Sequence, residues 1–177
     1  MPEVLVVYES MFGDAKAVAT AIAQGLSTRH RVTVRDVGSA PTAVPEDLAL
    51  LVVGGPNHRF GMSTADSRLE AVAQGATSSA EVGVRDWTAR LGQAPTGARS
   101  AAFDTRMTHP RFLQKVDHAS ASVEKRLRGL GFTALAPAQH FGVLDMDGPL
   151  ADGELERAES WGAELAGLLD QSGQSRA

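Results

Sequence analysis

Six consecutive residues, Ser10-Met11-Phe12-Gly13-Asp14-Ala15, combine a hydroxyl, a flexible glycine and the start of a helical periodicity. Backbone N–H groups left free at a helix start, joined by a serine hydroxyl, suit an anion such as a phosphate. The competing assignment is plain capping, with Ser10 or Asp14 closing the first helical turn. Two further polar segments follow apolar runs: Pro56-Asn57-His58-Arg59-Phe60-Gly61 and Asp104-Thr105-Arg106. Arg59 and Arg106 offer charge to an anionic ligand, and Asp104 either accepts a proton or hydrogen-bonds within its own loop. His58, His109 and His140 match no short metal-ligand spacing, so no metal site is expected. The first loop contains neither Gly-x-Gly-x-x-Gly nor a Gly-rich run ending in Gly-Lys-Ser/Thr, which argues against a dinucleotide fold and a P-loop nucleotidase.

The elements that carry these loops read as alternating strands and helices. Val4-Leu5-Val6-Val7-Tyr8 and Leu48-Ala49-Leu50-Leu51-Val52-Val53 are nearly continuous apolar runs, the pattern of parallel strands covered on both faces. Arg31 to Arg35 alternates, which suits an edge strand, and Arg99 to Phe103 opens a fourth. Gly54-Gly55-Pro56 is expected to end the third strand, and Phe132 to Leu144 forms an irregular fifth, interrupted by Pro137. Helical periods run from Gly13 to Leu26, through Leu69, Val72 and Ala73, over Val84 to Leu91 with Val84, Trp87 and Leu91 buried, and through Val116, Ala119, Val123, Leu127 and Leu130. Gly131 stops that fourth helix. A last helix follows Ala151, with Leu155, Ala158, Gly162, Leu165 and Leu169 as its buried stripe. Strands alternating with helices predict a doubly wound α/β sheet, whose ligands lie at the carboxyl ends of the strands. Residues 9 to 15, 54 to 64 and 104 to 110 occupy those ends.

The 177 residues suit one domain, placed at 1–170 with a flexible tail at 171–177. A hydrophobic share of 43% against 21% charged residues provides enough apolar surface for a core. The net charge of −4 without any Lys/Arg block argues against a nucleic-acid surface. No cysteine is present, which removes disulfide and thiolate chemistry and suits a reducing cytoplasm. Met1-Pro2-Glu3-Val4 does not open a signal peptide and no apolar run reaches bilayer length, so a cytoplasmic protein without a membrane span is expected.

Tyr8-Glu9-Ser10-Met11-Phe12-Gly13, then Gly54-Gly55-Pro56-Asn57-His58-Arg59-Phe60-Gly61-Met62-Ser63, resemble the flavodoxin family, especially its bacterial flavodoxin-domain members. Phe103-Asp104-Thr105-Arg106, Phe141-Gly142-Val143 and Gly148 to Leu155 look like the same group, so the resemblance covers residues 3 to 169. It implies a three-layer sandwich around a five-stranded parallel sheet in the order 2-1-3-4-5, with one FMN held noncovalently. By the same resemblance Ser10, Met11, Phe12, Gly13, Asp14 and Ala15 match the phosphate loop. Pro56, Asn57, His58, Arg59, Phe60 and Gly61 match the second flavin loop, and Asp104, Thr105 and Arg106 the third. It further implies electron transfer to a redox partner protein, or reduction of a small acceptor such as a quinone.

Two departures bear on FMN. The family's phosphate loop usually ends in Gly-Asn-Thr, where this chain has Gly13, Asp14 and Ala15. Ala15 lacks a hydroxyl whose bond to a phosphate contributes about 1.5 to 3 kcal/mol. A carboxylate ~5 Å from a phosphate charge repels it by about 3 kcal/mol at an effective dielectric near 20. The second departure is aromatic: Phe60 is the ring in the second loop, while Tyr8, Trp87 and Trp161 fall on strand or helix patterns. A flavodoxin fold that has lost flavin and acts as a binding or regulatory module is therefore the alternative reading. A third is a quinone-linked oxidoreductase resembling the flavodoxin-type protoporphyrinogen oxidases.

Overall fold

The computed structural model describes residues 3–57, 61–78, 81–109 and 118–174. In chain order the elements are β1 (Glu3–Tyr8), α1 (Asp14–Ser27), β2 (Arg31–Asp36), β3 (Leu48–Pro56), α2 (Ala65–Ala73) and α3 (Val84–Arg90), then β4 (Arg99–Met107), α4 (Ala119–Gly129), β5 (Thr133–Ala134), β6 (Gln139–Val143) and α5 (Glu154–Gln174). The strands pair in parallel in the order β2-β1-β3-β4-β5, and β6 continues the last position by pairing with β4. This is the predicted 2-1-3-4-5 sheet. One face packs on α1 and α5 through Val4, Val6, Ile22, Leu26, Leu50, Val52, Trp161 and Leu165. The other packs on α3 and α4 through Val7, Leu51, Val53, Trp87, Val123 and Leu127. Two-sided burial explains why β1 and β3 read as unbroken apolar runs. No helix among the described residues is long and apolar enough to cross a membrane.

Several elements differ from their sequence pattern. The third strand runs through Gly54-Gly55-Pro56 instead of stopping before them, because these residues pair with Phe103, Asp104 and Thr105 of β4; the Phe103 ring fills the space of a side chain at Gly54, 2.3 Å from an ideal Cβ. Helix α2 turns Ser67, Arg68 and Ala71 inward and leaves Leu69 60% exposed and Val72 41% exposed. Its inward face is fixed by polar bonds: Thr64 and Ser67 cap each other reciprocally, and Arg68 reaches Ser63 and Asp86.

The fifth strand is split into β5, beside Arg99 and Ser100, and β6, beside Phe103 to Met107, with Pro137 between them. Leu155 falls off the buried stripe of α5, which comprises Ala158, Trp161, Gly162, Leu165 and Leu169. Its neighbour Glu154 is the residue of that turn directed to the sheet, accepting from the Gly142 N–H at 2.6 Å. The tail expected from residue 171 is helical as far as Gln174. Val116 of the fourth helical face lies outside the described residues.

Candidate functional site

The loops after β1, β3 and β4 meet at the carboxyl edge of the sheet and enclose a cleft of about 340 Å³. Ser10, Met11, Phe12, Asp14 and Ala15 form one wall, Pro56 and Asn57 the floor, and Thr105, Arg106 and Met107 the other side. Helix α2 adds Ser67, Glu70, Ala71 and Gln74, and the segment after β6 adds Val143 and Met146. Neither contribution is visible in the sequence, because both depend on how an element docks rather than on its local pattern. The sequence-predicted residues His58, Arg59 and Phe60 lie outside the described residues. Gly61 is described but stands off the cleft, and Gly13 faces a separate shallow groove between α1 and α5.

The first loop is shaped for backbone donation. Ser10 is buried and its Oγ accepts from the Gly13 N–H at 3.1 Å, so it ties the loop to itself rather than capping the helix. Gly13, with φ 107°, stands at the N-cap position of α1 and no side chain caps that end. Among the described residues, the N–H groups of Met11, Phe12, Asp14, Ala15 and Lys16 donate to nothing. The Met11 carbonyl accepts from Thr77 N–H at 3.2 Å, which brings the segment after α2 against this loop. The Asp14 carboxylate lies against Gly148 and faces the Leu150 N–H, rather than folding back over its own helix end. Burial, reinforced by the charge of Asp147, raises its pKa although the Leu150 N–H opposes that rise.

In the second loop, Asn57 Oδ1 accepts from the Ala119 N–H at 3.1 Å and its own N–H donates to the Thr105 carbonyl at 3.0 Å. These bonds orient the side-chain amide. Its Nδ2 is buried with no hydrogen-bond partner among the described residues, while Asn57 as a residue lines the cleft.

In the third loop, Thr105 and Arg106 line the cleft and Asp104 does not. Asp104 is fully buried and receives Arg106 bidentately, Nε to Oδ1 at 3.0 Å and Nη2 to Oδ2 at 2.8 Å. His140 Nδ1 lies 3.0 Å from Oδ1, and the Ser120 N–H donates to Oδ2 at 3.2 Å. Burial opposes ionisation, but the bonds from His140, Arg106 and Ser120 and the Arg106 charge outweigh it and hold the pKa at about 2. Asp104 thus anchors Arg106, which is the cation among the described residues lining the cleft. His109 is exposed at the end of β4.

A second buried ionic cluster, unforeseen in the sequence, lies behind the first loop. Glu9 is 3% exposed, and its Oε2 accepts from the Val84 N–H at 2.8 Å. Its carboxylate also accepts from Ser63, which in turn accepts from Arg68 Nη1 at 2.8 Å. Arg68, 1% exposed, pairs through Nη2 with Asp86 at 2.7 Å. The aromatic candidates divide as their patterns imply: Trp87 donates to the Pro41 carbonyl from within the core, and Trp161 packs near Phe141. Half-buried Phe12 is the aromatic side chain on the described cleft wall.

A parallel 2-1-3-4-5 sheet with a cleft built from three strand-end loops is the flavodoxin-like fold, and its solved neighbours are flavodoxins and flavodoxin-like proteins. A flavodoxin from the domain Archaea superposes with a TM-score of 0.62 at 18% identity, over 95% of this chain and 99% of that one. The flavodoxin, WrbA-like protein from Agrobacterium tumefaciens gives 0.60 at 17%, over 97% and 99%. Flavodoxin 2 from Bacillus cereus gives 0.61 at 15%, over 93% and 98%. No family model and no curated protein matches the sequence.

Proposed function

We propose that the cleft binds FMN and that the protein passes electrons to a redox partner protein or reduces a small acceptor such as a quinone. The observation that carries this reading is the run of undonated N–H groups at Met11, Phe12, Asp14 and Ala15, residues that line one end of a cleft with Asn57, whose buried Nδ2 has no partner among the described residues, at its floor. An anion at a helix start and a donor at a separate polar edge are what a flavin nucleotide requires at its two ends. Met11, Phe12, Pro56, Met107, Val143 and Met146 offer an apolar lining between them, and about 340 Å³ falls within the range of small-molecule sites. Ser10 would shape the phosphate loop, Thr105 and Asn57 would meet the ring's polar edge, and Asp104 would hold Arg106 at the wall. When bound, the flavin supplies one- and two-electron redox chemistry; the protein supplies position, exclusion of water and a fixed field.

Asp14 and Glu70, both lining the cleft, favour a second reading, a fold that has lost flavin and serves as a binding module. Purification and titration separate the two. Yellow protein that releases FMN on denaturation, or apoprotein that binds FMN with a Kd of about 1 to 100 μM, supports the first reading. Colourless protein with no response to FMN at about 1 mM, a binding free energy weaker than ~4 kcal/mol, overturns it. NADPH oxidation with and without a quinone then distinguishes reductase from carrier.

A further inference from the structure

The charge of Asp14 argues against a phosphate neighbour, yet its carboxylate is engaged elsewhere. Val143 and Leu150 form an antiparallel bridge, Leu144 N–H donates to the Pro149 carbonyl at 2.9 Å, and Gly148 N–H donates to the Asp145 carbonyl at 3.2 Å. Residues 143–150 are therefore a closed turn leaving the end of β6. That turn is thinly packed at its tip, where Leu144 is 55% exposed and Met146 62% exposed. Val143 and Met146 nevertheless line the cleft. With little apolar burial to hold the tip, its polar attachments decide where the wall stands.

The Asp14 carboxylate is such an attachment. It faces the Leu150 N–H at the base of the turn, which favours its charged form. It also fits against Gly148, where an added Cβ would lie 2.6 Å from Oδ2 and 3.1 Å from Oδ1. Gly148 is buried with φ 95°, a conformation that favours glycine and leaves this space for the carboxylate. We infer that Asp14 is a positioning residue, which straps the 143–150 turn to the start of α1 and so sets the wall that Val143 and Met146 present to the ligand.

What the strap needs is an acceptor oxygen, not a negative charge. Asparagine at this position keeps the oxygen, and alanine removes it. The ligand-binding consequence rests on the flavin reading, whereas the strap itself does not. In ligand-free protein, amide hydrogen exchange at Leu150 is expected to quicken about tenfold in Asp14→Ala, the weight of one hydrogen bond, and to stay within about threefold of wild type in Asp14→Asn. In titrations Asp14→Ala is expected to weaken FMN and uncharged riboflavin alike by about tenfold, with Asp14→Asn binding both at least as well as wild type. Unchanged Leu150 exchange in Asp14→Ala overturns the inference. So does an Asp14→Ala protein that tightens FMN as Asp14→Asn does while leaving riboflavin unaffected, since Asp14 would then act by charge alone. Failure of every variant to bind either flavin removes the flavin reading, and Leu150 exchange still decides the strap.

Discussion

Glu9 and Asp104 are two carboxyl groups buried at strand ends on either side of Gly55, and they have opposite fates. Gly55 is in register with Asp104, and a side chain placed on it would meet Glu9 Cβ at 3.1 Å. Burial pushes both acids toward the neutral form. Asp104 meets donors on both oxygens, from Arg106, His140 and Ser120, and stays ionised with a pKa of about 2. Glu9 takes its bonds from Val84 and Ser63, while its Oε1 has no hydrogen-bond partner among the described residues. Arg68 helps the charged form and Asp86 opposes it, so burial prevails and the pKa of Glu9 is raised. The number of donors aimed at a buried carboxylate, more than its depth, decides whether it carries charge.

The largest effect that breaks this comparison comes from removing the satisfied member. Asp104→Ala removes the acceptor shared by the Arg106 guanidinium, His140 and the Ser120 N–H, and a loss of about 3 kcal/mol is expected in urea unfolding. Next is its acid titration. Because the folded pKa lies below the ordinary aspartate value of 3.8, the contribution is complete above about pH 4 and is lost as pH falls through about 2. The loss amounts to about 2 kcal/mol, and an Asp104→Asn protein should lack that part of the acid profile.

For Glu9 the sign is reversed. A folded pKa raised above the unfolded one adds stability below the ordinary carboxylate range, and the addition fades as pH rises through the folded value. Glu9→Gln should therefore be more stable than wild type by about 1 kcal/mol once pH exceeds the folded pKa of Glu9, and should flatten the decline that begins above the ordinary carboxylate range, measured by chemical unfolding across pH. The smallest expected effect is at Leu69, beside buried Arg68 but exposed: Leu69→Ser should change stability by less than about 0.5 kcal/mol.

The contrast between Arg68 and Leu69 also shows where sequence patterns fail. Runs such as Leu48 to Val53 declare a buried strand because both faces need apolar residues, and the alternation of Arg31 to Asp36 declares an edge. Those patterns suffice for an alternating α/β sheet whose strand ends carry Ser10 to Ala15, Asn57 and Thr105, whereas the order 2-1-3-4-5 follows from the resemblance of the loops to the flavodoxin family. On α2, the apolar period of Leu69 and Val72 points outward, because the side facing the protein is organised by the Ser63–Arg68–Asp86 bonds, which join residues up to 18 apart in sequence. Gly54 to Pro56 reads as a terminus by local propensity, whereas pairing with Phe103 to Thr105 on the neighbouring strand continues it. The α2 wall, Met146, the clustering around Glu9 and the turning of Asp14 onto Leu150 all arise from such distant docking, which leaves no periodicity to read.

The central claim is that the start of α1 holds the phosphate of a flavin nucleotide. Amide resonances of Met11, Phe12, Asp14, Ala15 and Lys16 in labelled apoprotein, followed during parallel titrations with FMN and with riboflavin, test it most directly. These five amides are expected to shift with FMN and to respond weakly to riboflavin, while the Asn57 side-chain amide responds to both. FMN binding that leaves the five amides unmoved, or identical responses to the two ligands, would contradict the account.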